Sequence, residues 1–167
     1  MTSETRRTEG RPDLTSRAAI DQLVTTFYRE IVFDDLLEPV FGEIAEVDWV
    51  AHIPILIDYW TSILLGAEGH RGSIMGVHRD LHAMAPIERA HCDRWYSLWA
   101  GCVDERWAGP IADRAKGHAA ALMAGMAKHL FSFAWSAAEV EVRALPGRPA
   151  RRPGRPPVDR GSCSVIR

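Results

Sequence analysis

A chain of 167 residues with 47% apolar side chains can bury one good core but hardly two, so a single domain with tails is expected. The formal charge is −2, yet residues 143–167 hold seven Arg against one Asp, which leaves −8 on the remainder; such an acidic body argues against a nucleic-acid-binding core. No stretch approaches the roughly 20 apolar residues of a membrane span, no apolar run follows a basic N-terminal region, and Cys92, Cys102 and Cys163 form neither CxxC nor an even-numbered framework, so a soluble cytoplasmic protein with reduced thiols is expected.

Residues 1–14 are polar and aperiodic and are expected to be a disordered extension, followed by a helical domain over 15–142. Behind Thr15 and Ser16, both good N-caps, Ile20, Leu23, Val24, Phe27, Tyr28 and Ile31 form a helical stripe. "LLEPVFG" reads as a turn-rich connection in which Pro39 stops regular structure and Phe41 needs a surface to cover it. Asp48 then caps a second helix with Trp49, Ile53, Leu56, Ile57, Trp60, Ile63 and Leu64 in register and Gly66 at its end; Pro54 predicts a kink or a delayed start beside His52. A glycine-containing loop leads to a short helix carrying His78 and His82. A longer helix from about Pro86 presents Cys92, Trp95, Leu98, Trp99, Cys102 and Val103 inward as far as Gly109-Pro110. Pro110 opens the last helix, with Ile111, Ala115, Ala119, Leu122, Met126, Leu130 and Phe133 in register. The Arg/Pro-rich tail over 143–167, with five Pro and three Gly in "LPGRPARRPGRPPVDRGSC", is expected to be a disordered, solvated extension.

The short segment "SIMGVHRDLH" is the first candidate site. His78 and His82 lie four residues apart, on one face of a helix, and such a pair supplies two of the four ligands zinc usually takes; Arg79 after the first His excludes HExxH. The alternative is one axial ligand: His78, among Ile74, Met75, Val77 and Leu81, offers an imidazole in an apolar wall, as a haem iron requires. A third reading leaves it a hydrogen-bonded histidine on a helix surface. Tyr28, His52 and Trp95 add a phenol, an imidazole and an indole on three other helices. Each taken singly is ordinary core, but together they are hydrogen-bond donors suited to a partly negative diatomic ligand.

With these residues in order, the sequence resembles the group III truncated haemoglobins over about residues 15–138. The resemblance is carried by "FYREI", "LLEPVF", "DWVAHIPILIDYWTSILLG", "RGSIMGVH", "HCDRWYSLW" and "AGPIADRAKGHAAALMAGM". It implies an all-α, two-over-two helical sandwich around a non-covalent haem b. By position it implies that His78 is the proximal iron ligand and that Tyr28, His52 and Trp95 are the distal polar residues that carry the chemistry. Leu56 would be the apolar residue one turn beyond His52, Phe41 would pack on the haem, and Tyr59, Trp60 and Met75 would line or support its cavity; His82 would be a bystander. The chain departs from the family with Ser73-Ile74 where Asn-Pro is common and His91-Cys92 where His-Phe is common.

What the resemblance implies for activity is tight binding of dioxygen and other small diatomic ligands at a pentacoordinate iron. Redox chemistry (nitric oxide dioxygenation or peroxide activation) or ligand sensing would follow, rather than bulk oxygen transport. No GxGxxG appears, so turnover would need an external reductase. A monomer or weak dimer is expected. The competing class is a non-haem helical binding or structural domain with an incidental or zinc-holding HxxxH pair.

Overall fold

The computed structural model describes residues 10–68, 74–142 and 145. Five α-helices make up the domain: α1 (Arg17–Val32), α2 (Trp49–Leu65), α3 (Ile74–Met84), α4 (Arg89–Arg106) and α5 (Pro110–His129). A π-helical turn, Pro39–Ile44, joins α1 to α2, and a 3-10 turn, Ala137–Glu139, follows α5. There is no strand among the described residues. Helix α1 packs on α2 and α4, α4 on α5, and α2 on α5, so the α1/α2 pair lies over the α4/α5 pair. Helix α3 makes no comparable packing with any of them.

The local signals act as their chemistry dictates. Ser16 caps α1 by accepting from Ala19 N–H, and the buried residues of that helix are Ile20, Leu23, Val24, Phe27, Tyr28 and Ile31, the stripe read from the sequence. Asp48 Oδ1 caps α2 by accepting from Val50 and Ala51 N–H at 3.1 and 3.3 Å, and Gly66 ends it in the left-handed region at φ 69°. Helix α2 starts at Trp49 and passes through Pro54 without the expected delay; Pro54 and Val50, whose carbonyl it leaves unbonded, are both exposed, where water satisfies the group.

Three expectations shift. Pro39 does not end regular structure: as first residue of the π-helical turn, a position where its missing N–H is no loss, it starts a segment. Helix α5 stops at His129 rather than running on to Phe133, because Ser132 takes φ 63° and the chain turns; its buried face is Ala112, Ala115, Ala119, Met123, Met126 and Ala127, and Leu122 stays half-buried. Residues 10–14, placed outside the domain by composition, are docked on it. Leu14 is 0% exposed, and Asp13 accepts from Ile111 and Ala112 N–H at 3.0 and 2.8 Å, capping α5 from across the chain. Gly109 fits that cap because its φ is 136° and a Cβ there would meet the Asp13 carboxyl at 2.6 Å. Residues 1–9, 143, 144 and 146–167, with Cys163, lie outside the described residues. Cys92 and Cys102 are buried and free, and burial pushes both thiols up to about 12, which leaves them protonated at neutral pH.

Candidate functional site

The candidate site begins at two histidines one turn apart on α3. On α3, His78 Nδ1 lies 2.8 Å from the carbonyl oxygen of Ile74, one turn back. A carbonyl only accepts, so Nδ1 carries the proton and Nε2 keeps a lone pair. His82, one turn on, is held the other way. Its Nδ1 accepts from Ile87 N–H at 2.9 Å, so the proton of the neutral ring sits on Nε2, and the ring packs on Phe131 at 4.9 Å. The same helix therefore holds one imidazole in the tautomer a metal binds through Nε2 and the other in the tautomer that closes the helix end. No group of three or more His, Cys, Asp or Glu side chains suited to a metal ion occurs among the described residues.

Three other helices each carry one of the remaining candidate polar groups. Tyr28 on α1 is 7% exposed, and burial, with a smaller contribution from Tyr59, holds its phenol far above the usual range, so it remains a proton donor. Its ring lies 5.5 Å from Trp49 and 6.4 Å from Phe41. His52 sits in the first turn of α2, half-buried, with its N–H bonded to Asp48 O at 2.9 Å. Partial burial above all, with a smaller contribution from the nearby His78, pushes its pKa below the ordinary value, so it is neutral at pH 7. Trp95 on α4 is half-buried, edge-on to Phe27 at 5.2 Å and parallel to Trp99 at 6.1 Å. None of these three side chains makes a hydrogen bond to a described residue, whereas Trp99 Nε1 donates to Ala115 O at 3.2 Å and Trp135 Nε1 to Asp93 at 2.7 Å.

The remaining residues sort by what they touch. Phe41 stacks on Trp49 at 6.0 Å, which answers the demand that an aromatic in that turn find a surface. Leu56 on α2 and Met75 on α3 are half-buried against the core. Tyr59 and Trp60 are buried in the interior. Trp60 stacks on Trp99 at 4.2 Å, and the Tyr59 hydroxyl lies 2.6 Å from His118 Nε2 on α5. The sequence reading missed Trp49 as a site residue, although an aromatic one turn before His52 was a signal for it. It also missed His118, whose partner lies 59 positions away and leaves no local trace.

No family model and no curated protein matches this sequence. Among solved structures, the chain is similar to the crystal structure of a group III truncated hemoglobin from Campylobacter jejuni. The TM-score is 0.62 at 20% identity, over 70% of this chain and 92% of that chain. The fold is therefore all-α and that of a truncated globin, with two helix pairs crossing and a short, loosely packed helix beside them. Among the described residues no helix is long and apolar enough to cross a membrane.

Proposed function

We propose that the chain is a haem protein of the group III truncated haemoglobin type that binds dioxygen and other small diatomic ligands tightly, for redox chemistry or sensing. The observation that carries this reading is the tautomer of His78. Its Nδ1–H is committed to Ile74 O, which leaves the ring's lone pair on Nε2, the nitrogen through which such an imidazole ligates a metal. A second hydrogen bond of this kind is what orients and fixes a metal-ligating imidazole.

The residues present fit a haem b. His78 would hold its iron, and Leu56, Phe41, Ile74 and Met75 would cover the ring with half-buried apolar surface. The haem would supply an open coordination position and electrons for dioxygen, nitric oxide or peroxide chemistry. Tyr28, His52 and Trp95 then act on the ligand. Tyr28 keeps its proton at any physiological pH and donates a hydrogen bond; neutral His52 can donate or accept; Trp95 only donates. A hydrogen bond to a charged acceptor contributes about 1.5–3 kcal/mol, so two donors slow ligand release by orders of magnitude. Tight retention disfavours bulk oxygen carriage and favours nitric oxide dioxygenation, peroxide activation or sensing. Electrons would come from an external reductase, and a monomer or weak dimer in the cytoplasm is the working state.

The test is spectroscopic. The full chain purified with added haem is expected to show an intense Soret band. His78→Ala is expected to lose it and His82→Ala to keep it. Retention of full haem by His78→Ala with loss in His82→Ala would overturn the assignment.

A further inference from the structure

From half-buried Trp95 a file of aromatic rings runs into the domain. Trp95 lies parallel to Trp99 at 6.1 Å and 8°, and Trp99 stacks on Trp60 at 4.2 Å and 22°. Trp60 meets Tyr59 at 5.5 Å and His118 at 5.5 Å. The file ends on a hydrogen bond, Tyr59 hydroxyl to His118 Nε2 at 2.6 Å. Packing alone asks for stacked rings; it does not ask for a phenol aimed at an imidazole on another helix. We infer that Tyr59 and His118 form a proton-coupled electron donor, fed through Trp95, Trp99 and Trp60, that supplies single electrons to the distal residues.

The direction of the relay follows from where a proton can go. An indole that loses an electron becomes a radical cation and is trapped if a base takes its N–H proton. Trp99 Nε1–H points at the carbonyl of Ala115 at 3.2 Å, a very weak base, so its radical cation keeps the proton and passes the deficit on. Tyr59 differs because it faces an imidazole. In the step, Trp60 as radical cation takes one electron from Tyr59 and returns to neutral indole. The phenol O–H bond breaks, its proton goes to His118 Nε2, and the products are a neutral phenoxyl radical and an imidazolium. One positive charge is present before and after. A solvent-borne one-electron reductant then restores Tyr59, which takes its proton back from His118.

Two features fit this assignment. Burial raises the Tyr59 phenol above its ordinary value and lowers His118 below its own, so at neutral pH a protonated donor faces a neutral acceptor. Tyr59 is buried while His118 is half-buried, so the radical is shielded and the proton lies near solvent.

The physiological oxidant, a peroxide reacting at the distal residues, rests on the haem reading; the relay itself does not. It is tested first without haem, by pulse radiolysis of the full chain with azide radicals, which oxidise tryptophan. The indolyl absorption is expected to decay as the phenoxyl band rises, more slowly in deuterated water. Tyr59→Phe is expected to abolish that rise although Tyr28 and Tyr96 remain. His118→Phe is expected to slow it about a hundredfold, the size of a positioned base's contribution. Trp99→Phe, which leaves the Tyr59–His118 pair in place, is expected to slow transfer from Trp95. Circular dichroism checks that each variant is folded. A phenoxyl yield unchanged in Tyr59→Phe, or a rate unchanged in His118→Phe, overturns the pair. In the second arm, peroxide is added to haem-loaded protein and the tyrosyl radical is read by electron paramagnetic resonance. A radical in the first arm with none in the second upholds the pair and counts against the haem reading.

Discussion

Helices α4 and α5 meet through small, fully buried residues: Ala100, Gly101 and Cys102 on one, Ala112, Ala115, Ala119 and Ala127 on the other. Across the molecule, α3 contributes only Leu81 to the buried set, and Leu56, Ile74 and Met75 around it stay half-buried. The first region is sealed because short side chains let two backbones approach, and Trp99, wedged between Phe27, Trp60 and the Ala115 carbonyl, fills what remains. The second region is less tightly packed, with one buried residue on its helix. The residues proposed to act on a ligand, Tyr28, His52 and Trp95, differ from those of the seal, so ligand binding and stability should separate on mutation there, whereas Trp99 serves the core and the proposed relay alike.

The sharpest way to break that separation is at Trp99. Trp99→Ala is expected to cost about 3–5 kcal/mol, the range for a buried aromatic deleted from a packed core, read as a fall in chemical-denaturation midpoint. A loss below about 1 kcal/mol would mean the sealed half is not the source of stability. Next is Tyr28, where the order reverses. Tyr28→Phe is expected to raise the dioxygen off-rate about tenfold or more, since a lost hydrogen bond to a charged acceptor is worth about 1.5–3 kcal/mol. Because the hydroxyl has no described partner, the same change should leave folding stability within about 0.5 kcal/mol.

A smaller effect sits at the Asp13 cap. Asp13→Ala is expected to cost about 0.5–2 kcal/mol, as lost caps do, with no change in haem retention. Partial burial would raise the carboxyl, but the N–H groups of Ile111, Ala112 and Leu14 outweigh it and hold the pKa below its ordinary value. A depressed carboxylate stabilises the fold above its unfolded pKa, about 3.9, and that stability is lost as pH falls through the lower folded value. Denaturation midpoints measured from pH 6 down to pH 2 should therefore converge for the wild type and Asp13→Ala. The smallest expected change is His82→Ala, about 1 kcal/mol from the single hydrogen bond to Ile87 N–H, with the Soret band intact.

Much of this was legible in the chain. The inner stripe of α1, the Asp48 and Gly66 ends of α2 and the burial of Cys92 and Cys102 follow from periodicity and capping, which act within a few residues. The site was legible as a set of residue types, since Tyr28, His52, Trp95 and His78 each sit on a helix whose face the sequence fixes. How those helices pack was not, because helices distant in sequence come together only through the core.

What the sequence alone determined is the helical alphabet: which segments are helical, which side chains share a face, and that two histidines lie one turn apart. Their hydrogen-bond partners, which set the two tautomers, came only with the structure. His78 finds the Ile74 carbonyl within its helix, while His82 meets the Ile87 N–H where the chain turns away after α3. The same limit explains Asp13 capping a helix 98 positions on and Tyr59 facing His118. Hydrogen bonds between distant residues are set by how the helices pack, and no local pattern records them.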